Sequence, residues 1–405
     1  MTDIINNFSQ AIQNFFQTTG IAKLVNAASG DPMDTVGPII MILLSFVLLY
    51  LAIVKQFEPL LLVPIAIGML LTNFLGGDLI HMEYFLGEQL DYHAIFTKGG
   101  LLDILYLGVK LGVYPSLIFI GIGAMTDFSA LIANPKYFII GAGAQLGVFV
   151  AFAGALLLGF TPEQAAAIGI IGGADGPTAI LVTKELASDL LPAIAIAAYS
   201  YMALIPMIQP PFMRLLTTKK ERAIKMPPVR PVSKTELIIF PIVVTVIVGL
   251  VVPSALSLVG CLMFGNLLSV CGVTKRLSQV AQNGLINAVT VCLGISVGAT
   301  ATADIFLRPQ TLGIIALGLT AFIISTVGGL LTAKVMNWLS GGKINPLIGS
   351  AGVSAVPMAA RVSQLEGQKA DPSNFLLMHA MGPNVAGVIG SAVAAGVFLS
   401  IYNAF

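Results

Sequence analysis

Long apolar stretches dominate this sequence. Of its 405 residues, 57% are hydrophobic and only 10% are charged, whereas about a quarter of the residues in a soluble domain are charged. A helix crosses the roughly 30 Å core of a bilayer with about 20 apolar residues. The sequence therefore predicts an all-α polytopic membrane protein. Its apolar spans lie at about 37–54, 59–74, 101–125, 137–159, 192–216, 236–251, 254–270, 280–302, 311–338 and 374–403.

Composition and motifs exclude several classes of function. The net charge is +1 and no basic patch with interleaved aromatic residues is present, so we expect no nucleic-acid partner. Cys261, Cys271 and Cys292 lack metal-ligand spacing and are expected to be small buried apolar residues. No Walker A, G-x-S-x-G or paired-histidine motif is present. Energy for uphill transport must therefore come from an ion gradient or from a reaction brought by a partner.

The first 35 residues stand apart from the membrane spans. They lack the basic start and continuous apolar core of a signal peptide. Their apolar side chains recur at helical spacing, which indicates a helix lying on the membrane surface, with a partly ordered tail as the alternative. These apolar residues are Ile4, Ile5, Phe8, Ile12, Phe15 and Phe16.

One polar linker divides the rest of the chain. Residues 217–234, TTKKERAIKMPPVRPVSK, are basic and contain proline, and the positive-inside rule places such a connection in the cytoplasm. The linker separates a predicted first transmembrane repeat, 36–216, from a predicted second repeat, 235–405.

Two further apolar segments, 163–187 and 346–366, are interrupted by glycine and proline and match each other. IGIIGGADGPTA (168–179) and IGSAGVSAVPMA (348–359) share the pattern I-G-x-x-G-x-x-x-x-P-x-A. This match predicts an internal duplication. Weaker echoes flank it: MALIPM with HAMGPN, Gly123-Ala124 before Pro135 with Gly298-Ala299 before Pro309, and Pro59 to Asn73 with Pro253 to Asn266.

The placement of charges predicts how the halves are oriented. With an outside start, Lys55 and Lys136 fall inside, and the acidic loop with Asp78, Glu83, Glu88 and Asp91 falls outside. The basic linker falls inside only if 163–187 is re-entrant rather than a full crossing. The predicted fold is two inverted repeats, each with about five transmembrane helices and one interrupted re-entrant segment. In transporters of this plan the binding site lies where the interrupted segments meet near the midplane.

Asp175 is the only charged residue in the first interrupted motif. Glycine and proline free backbone carbonyls there, and such groups must be buried in protein or line a wet cavity. Carbonyls, hydroxyls and a carboxylate together suit a hard cation, and an ionisable group at membrane depth indicates function. Asp175 is therefore the strongest candidate for an ion ligand. A helix cap is the structural alternative, and the two roles are compatible.

The second interrupted segment offers neutral oxygens and one cation. Asn345, Ser350 and Ser354 carry oxygen atoms that can contact an ion. Arg361 ends the apolar run, and its guanidinium suits a carboxylate better than a metal ion. An arginine that anchors the segment at the membrane interface is the alternative.

Several other polar residues lie in apolar surroundings. Tyr199 and Tyr201 occupy a place in the first repeat that matches Asn384 in the second, where a hydroxyl and an amide can complete an ion site or relay a proton. An interface aromatic is the alternative for each tyrosine. Gln209 lies between prolines, and we expect His379 to be a satisfied buried histidine rather than a proton carrier.

Four motifs carry a resemblance to a known family. GGADGPTAI, AAYSYMALIPMIQPP, INPLIGSAGVSAVPMAARV and NFLLMHAMGPNVAGVIGSA resemble the β subunits of the bacterial sodium-pumping biotin-dependent decarboxylases. That family includes the oxaloacetate, methylmalonyl-CoA and glutaconyl-CoA enzymes, and the oxaloacetate type is favoured here. The resemblance runs from about Lys55 to Ser391.

The resemblance implies a reaction coupled to transport. The β subunit is expected to decarboxylate carboxybiotin, consume a proton and move Na⁺ outward. Asp175, Tyr201 and Arg361 are then the expected catalytic residues, and Arg361 is expected to bind carboxybiotin. The expected sodium-binding residues, matched by position, are Asp175, Tyr201, Asn345, Gly349, Ser354 and Asn384. The hypothesis is that Na⁺ and a proton exchange on one carboxylate and one hydroxyl.

The resemblance also implies an assembly in the bacterial cytoplasmic membrane. The expected cofactors are Na⁺ and a carboxybiotin carried by a partner, with no biotin attached to this chain. The expected partners are a biotinylated carboxyltransferase (α) subunit and a small single-span (γ or δ) subunit in an oligomeric complex. The alternative function is a secondary Na⁺/H⁺ antiporter or Na⁺-coupled carboxylate transporter, in which Arg361 binds a substrate carboxylate. A purely structural anchor is disfavoured by the intramembrane Asp175.

Overall fold

The computed structural model describes residues 10–11, 14–27, 32–56, 59–75, 77, 79–85 and 90–402. This part of the chain is helical and contains no β-strand. Seven of its helices are long and apolar enough to cross a membrane, and two bent helix pairs can each add another span. The prediction of an all-α polytopic membrane protein is confirmed.

The helices follow the apolar spans of the sequence closely. They are α1 (Gly20–Ala27), α2 (Pro32–Ile53), α3 (Pro59–Thr72), α4 (Tyr92–Thr97), α5 (Leu101–Lys110), α6 (Val113–Met125), α7 (Ser129–Ala133), α8 (Tyr137–Ala144), α9 (Leu146–Leu157), α10 (Pro162–Gly169), α11 (Gly176–Leu186), α12 (Leu191–Leu216), α13 (Lys219–Arg222), α14 (Lys234–Val251), α15 (Leu256–Val270), α16 (Lys275–Gln279), α17 (Ile286–Ala299), α18 (Ala303–Phe306), α19 (Pro309–Leu339), α20 (Met358–Ala370) and α21 (Leu377–Ile401). A π-helical turn, Val280–Leu285, joins α16 to α17.

The amino-terminal prediction is only partly within the described residues. Phe15 and Phe16 lie in a short helical stretch and are exposed. The predictions for Ile4, Ile5, Phe8 and Ile12 lie outside the described residues, as do those for Asp78 and Glu88 of the acidic loop. A membrane-surface role for residues 1–35 therefore stays a prediction.

Two compact units make up the chain. One contains Met1–Lys110 with Val291–Leu312, and the other contains Leu111–Thr290 with Gly313–Phe405. Each unit combines segments from before and after the linker. The boundaries of the two compact units therefore differ from those of the predicted repeats. The repeats 36–216 and 235–405 stay a prediction about duplication.

In the first unit, α3 packs directly against α17 through glycines. A Cβ added at Gly68 would lie 2.2 Å from the carbonyl oxygen of Ile295, and one added at Gly298 would lie 2.0 Å from that of Ile65. Only glycine therefore permits this approach. The Asn73 amide then donates a hydrogen bond to the carbonyl of Ala301 at 2.7 Å.

The second unit contains the same type of contact between α6 and α15. An added Cβ at Gly123 would lie 1.9 Å from the carbonyl oxygen of Leu262. Asn266 follows Leu262 by one turn on α15, and its side-chain amide donates a hydrogen bond to the carbonyl of Thr126 at 2.9 Å. Gly123 and Gly298 echo each other in the sequence, as do Asn266 and Asn73, so the repeated contact supports an internal duplication.

The ends of the first interrupted segment lie side by side. Gln164, in the first turn of α10, donates from its amide to the Asp189 carboxylate at 3.1 Å, just past the end of α11. A segment that leaves and returns to one place has the geometry of a re-entrant loop. α12 is bent by 63° between Met202 and Leu204 and leads over 26 residues to the linker, which follows its carboxyl end.

The ends of the second interrupted segment also lie together, at the linker. The side-chain amides of Asn345, before the segment, and Asn374, after it, both donate to the carbonyls of Arg222 and Ile224, at 2.9 to 3.2 Å. This segment thus begins and ends at the linker end of α12. The two segments have the arrangement expected if they enter from opposite sides.

Ion pairs hold the linker against its neighbours. Lys225 pairs with Asp371 at 3.1 Å and Lys334 pairs with Glu221 at 3.4 Å. Hydrogen bonds from Ser373 and the pair with Lys225 lower the pKa of Asp371 to about 2. The Asp371 carboxylate is therefore ionised at physiological pH, and its ion pair with Lys225 persists over that range.

Candidate ion site at the two helix interruptions

The first interrupted segment breaks at Asp175. α10 continues as a 3₁₀ turn, Ile170–Gly173, and the chain then turns at Ala174, whose φ is +54°. Asp175 is extended and caps α11, because its Oδ1 accepts a hydrogen bond from the backbone N–H of Thr178 at 3.3 Å. The carboxylate is only 4% exposed. The break therefore places a carboxylate inside the helical packing.

The second interrupted segment breaks against the first. A 3₁₀ turn, Pro346–Gly352, is followed by extended backbone at Val353, and α20 begins only at Met358. The backbone N–H of Ser354 donates to the carbonyl of Gly173 at 2.9 Å. The two breaks are thus in direct contact, in the arrangement that the predicted inverted repeat requires.

Two hydroxyl groups converge on the Asp175 carboxylate. Ser354 donates to its Oδ2 at 2.9 Å, and Ser391 of α21 donates to the same oxygen at 2.7 Å. Among the described residues, no lysine, arginine or histidine forms an ion pair with Asp175. Because a buried carboxylate without a counter-charge is strongly destabilised, the site needs a bound cation or a proton.

Further oxygens nearby have no hydrogen-bond partner. The Tyr199 ring lies against Gly176, where an added Cβ would be 2.4 Å from its Cε1, and the Gln145 Oε1 would lie 3.5 Å from a Cβ at Gly173. Thr178 occupies the capped turn of α11. The Tyr199 hydroxyl and Gln145 Oε1 are buried and have no hydrogen-bond partner among the described residues. Thr178 Oγ1 lies close to the Asp175 carboxylate without a well-directed hydrogen bond. Neutral oxygens around one carboxylate are a suitable donor set for a hard cation.

Asn384 supports the second break. Its amide nitrogen donates to the carbonyls of Ala351 and Val353 at 2.9 and 2.7 Å. Its Oδ1 is buried and has no partner among the described residues. Asn384 therefore holds the opened backbone in place and keeps one oxygen available.

Tyr201 is directed toward α19. Its hydroxyl donates a short hydrogen bond to the carbonyl of Ile315. The Tyr201 hydroxyl hydrogen is thus used in a bond to α19. The lone pairs of the same oxygen can still accept a hydrogen bond or contact an ion. Its catalytic and sodium-binding roles stay predictions.

Asn345 and Gly349 have contacts of their own away from the Asp175 carboxylate. The amide nitrogen of Asn345 donates a hydrogen bond to the carbonyl of Arg222 in the linker. Its Oδ1 accepts a hydrogen bond from the backbone N–H of Leu347 at 3.0 Å. An added Cβ at Gly349 would lie 2.2 Å from the carbonyl oxygen of Gly329, so Gly349 permits close packing on α19. Their sodium-binding roles stay predictions.

Arg361 lies in the first turn of α20 and is exposed. Among the described residues, its guanidinium has neither an ion pair nor a hydrogen bond. A cation without a partner is available to an anionic ligand. Its role in binding carboxybiotin stays a prediction.

Sequence reasoning missed three residues of the cluster: Gln145, Thr178 and Ser391. Each is a single polar residue in an apolar helix or at its start, in GAGAQLGV, GPTAIL and VIGSAV. Systematic attention to uncharged polar residues inside the spans would have selected them, although it would also have selected many serines and threonines that bond their own helix.

Comparisons with known proteins agree with the resemblance. The family described as "Na+-transporting oxaloacetate decarboxylase beta subunit" matches residues 37–402. A methylmalonyl-CoA decarboxylase subunit beta from Propionigenium modestum is 58% identical over 403 residues, covering 97% of this chain and 100% of the relative.

Relatives named for two other substrates are nearly as similar. A glutaconyl-CoA decarboxylase subunit beta from Acidaminococcus fermentans is 56% identical, covering 92% of this chain and 95% of the relative. An oxaloacetate decarboxylase beta chain 2 from Salmonella typhi is 53% identical, covering 90% of this chain and 94% of the relative.

Proposed function

This chain belongs to the family of Na⁺-transporting decarboxylase beta subunits, and on that premise we propose that it decarboxylates carboxybiotin and couples the reaction to outward Na⁺ transport. The carboxybiotin is presented by a biotinylated partner subunit. A small single-span subunit completes an oligomeric complex in the bacterial cytoplasmic membrane, with the basic linker in the cytoplasm.

The observation that carries this proposal is the Asp175 cluster. A carboxylate only 4% exposed accepts two serine hydroxyls and has no ion-pair partner among the described residues. Unsatisfied neutral oxygens lie around it. Asp175 then binds Na⁺ as the transported ion, with Ser354, Ser391 and Asn384 in support, and exchanges Na⁺ for a proton.

The chemical step requires little from the protein beyond positioning and proton supply. In carboxybiotin the bond between the ring nitrogen and the carboxylate carbon breaks, CO₂ leaves, and the nitrogen takes one proton. A site that excludes water favours this loss of charge. The proton bound at Asp175 supplies the coupling, because its departure restores the carboxylate that binds the next Na⁺.

The acid that feeds the reaction is chosen by the partner that carboxylates biotin. Relatives named for methylmalonyl-CoA, glutaconyl-CoA and oxaloacetate are 58, 56 and 53% identical to this chain. Such similar values do not discriminate among the substrates, so the preference for oxaloacetate stays a prediction.

Reconstitution of the purified complex in liposomes tests this function. Addition of the decarboxylation substrate should drive uptake of radioactive Na⁺ into those liposomes in which the cytoplasmic side of the complex faces outward, and avidin should abolish it. Asp175→Asn should lower both Na⁺ uptake and CO₂ release by about 100-fold or more, because the amide carries no charge to bind Na⁺ or the proton.

A matched control is Asp304→Asn, which removes an exposed carboxylate and should leave both activities within about twofold of the wild type. Na⁺ uptake that ignores avidin would contradict the proposal and favour an antiporter or carboxylate transporter. Full Na⁺-dependent decarboxylation by Asp175→Asn would contradict the role of Asp175.

A further inference from the structure

One turn of α19 is connected to both helix interruptions. Ser325 and Thr326 are adjacent on this helix, and both are completely buried. Ser325 contacts the first interrupted segment directly. Thr326 contacts Gln209 of α12, which in turn contacts the second interrupted segment. A single place on α19 therefore serves as a common support for the two breaks.

Ser325 holds a backbone carbonyl of the first break. Serines inside helices commonly bond a carbonyl of their own preceding turn, but the Ser325 hydroxyl donates across to the carbonyl of Gly172 at 2.6 Å. Gly147 of α9 leaves room for this contact, because an added Cβ there would lie 2.0 Å from Ser325 Oγ. Gly172 precedes Asp175 by three residues. Ser325 thus fixes the backbone just before the carboxylate.

Gln209 holds a backbone carbonyl of the second break. Its side chain is completely buried, and its amide nitrogen donates to the carbonyl of Ser350 at 2.9 Å and to Thr326 Oγ1 at 3.3 Å. Thr326 can accept this bond because its own hydroxyl donates to the carbonyl of Phe322 at 3.1 Å. Both hydrogens of the Gln209 amide are therefore used.

The two anchored carbonyls lie close in sequence to the contact between the breaks. Ser350 precedes Ser354 by four residues. The hydroxyl of Ser354 donates to the Asp175 carboxylate, and its backbone N–H donates to the first break. Among the described residues, no other side chain donates to the carbonyl of Gly172 or to that of Ser350. The separation of the two breaks therefore depends on these two anchoring bonds.

We propose that Gln209 and Ser325 are positioning residues of the ion site, which hold the two breaks at the separation that lets the Ser354 hydroxyl reach the Asp175 carboxylate. Their own hydrogen bonds are with carbonyls and with a threonine rather than with the carboxylate. A hydrogen bond weakens steeply as its distance and angle depart from the optimum, so a small shift of one break would loosen the site. This inference rests on the proposed function, because its consequence is a change in Na⁺ affinity.

The Na⁺ dependence of CO₂ release by the purified complex tests the proposal. The variants are Gln209→Met, in which a flexible unbranched side chain replaces the amide, and Ser325→Ala. Each should raise the half-saturating Na⁺ concentration about fivefold or more, because one anchored carbonyl is released. The rate at saturating Na⁺ should fall by a smaller factor, since neither side chain contacts the reacting groups.

A double-mutant cycle separates positioning from a general loss of structure. In a Ser354→Ala background, Gln209→Met should change the half-saturating Na⁺ concentration by no more than about twofold, since the contact through which it acts is already absent. In a Ser391→Ala background its full effect should remain, because Ser391 reaches Asp175 from α21. Thermal stabilisation of each complex by Na⁺ gives the same comparison for variants that release CO₂ too slowly to follow.

Matched controls remove similar groups elsewhere. Gln282→Met takes away an amide that donates to the carbonyl of Ala124 at 2.6 Å. Ser296→Ala takes away a buried hydroxyl that donates to the carbonyl of Cys292 in its own helix. Both variants should keep the half-saturating Na⁺ concentration within about twofold of the wild type.

The outcomes distinguish this inference from the proposed function. If the wild-type complex shows no Na⁺-dependent CO₂ release, the proposed function fails and this inference fails with it. If the wild type shows such release and both Gln209→Met and Ser325→Ala match its Na⁺ dependence, the positioning role alone is wrong. Equal effects of Gln209→Met in the Ser354→Ala and Ser391→Ala backgrounds would also overturn it, because the effect would then not pass through Ser354.

Discussion

At the scale of single residues, the Asp175 side chain combines a helix cap with the proposed ion-binding role. Its Oδ1 caps α11 through the backbone N–H of Thr178, and its Oδ2 receives Ser354 and Ser391. The helix cap that the sequence analysis gave as the structural alternative for Asp175 is therefore present. The second oxygen is left to hydroxyls and to the proposed ion.

Ser391→Ala tests the support of that second oxygen. Removal of one hydroxyl from a buried carboxylate should raise the half-saturating Na⁺ concentration about tenfold, because hydrogen bonds to charged groups are worth about 1.5–3 kcal/mol. The measurement is the Na⁺ dependence of CO₂ release. Ser400→Ala removes a serine hydroxyl from the same helix, beside Ser254, and should leave the Na⁺ dependence unchanged.

Thr178→Val tests the unsatisfied oxygens. Thr178 Oγ1 is buried close to the Asp175 carboxylate but makes no well-directed hydrogen bond, so without Na⁺ the valine variant should be about as stable as the wild type. The stabilisation that Na⁺ adds to the wild type should shrink in the variant. Thermal unfolding with and without Na⁺ measures both. A loss of stability without Na⁺, with the Na⁺ effect intact, would make Thr178 purely structural.

At the scale of elements, glycine decides how closely the interrupted segments approach their neighbours. Gly349 faces the carbonyl of Gly329 on α19, and Gly387 of α21 faces that of Gly352, with added Cβ positions 2.2 and 2.1 Å from those oxygens. The pattern I-G-x-x-G is thus a packing pattern as well as a means of opening the helix. A glycine in these motifs cannot be read as a ligand from sequence alone.

Gly349→Ala should destabilise the protein by about 1–3 kcal/mol, since the methyl group forces the backbone of α19 away. Gly313→Ala is the matched control in α19, because no heavy atom lies within 4 Å of its added Cβ. That variant should be neutral or more stable by up to about 1 kcal/mol. Thermal unfolding of the purified complex compares them, and equal behaviour of the two variants would contradict the packing role.

At the scale of the whole molecule, the chain combines repeated contacts with two interrupted segments that return to where they began. Gln164 joins Asp189 at one pair of ends, while Asn345 and Asn374 share the linker carbonyls at the other. The first of these hydrogen bonds lies near the start of α12, and the others lie just beyond its end. The prediction that one segment enters from each side of the membrane is compatible with this placement and stays a prediction.

Accessibility of introduced cysteines tests that topology. In a background with the three native cysteines replaced, Glu163→Cys and Asp189→Cys should both react with an impermeant maleimide applied outside cells. Lys220→Cys and Lys343→Cys should react only in inverted vesicles. Labelling of Glu163→Cys and Asp189→Cys from opposite sides would mean that residues 163–187 cross the membrane.

The sequence by itself determined the membrane class, the places where helices break and the position of Asp175 at one of these breaks, because hydropathy, glycine and proline act over a few neighbouring residues. Tertiary structure alone decided which oxygens surround that carboxylate. Asp175 and Ser391 are 216 residues apart, and no local pattern pairs them. The same holds for Asn345, whose amide is bound to linker carbonyls 121 and 123 residues away. Contacts of that range follow from how the helices pack, and packing depends on the whole set of close approaches.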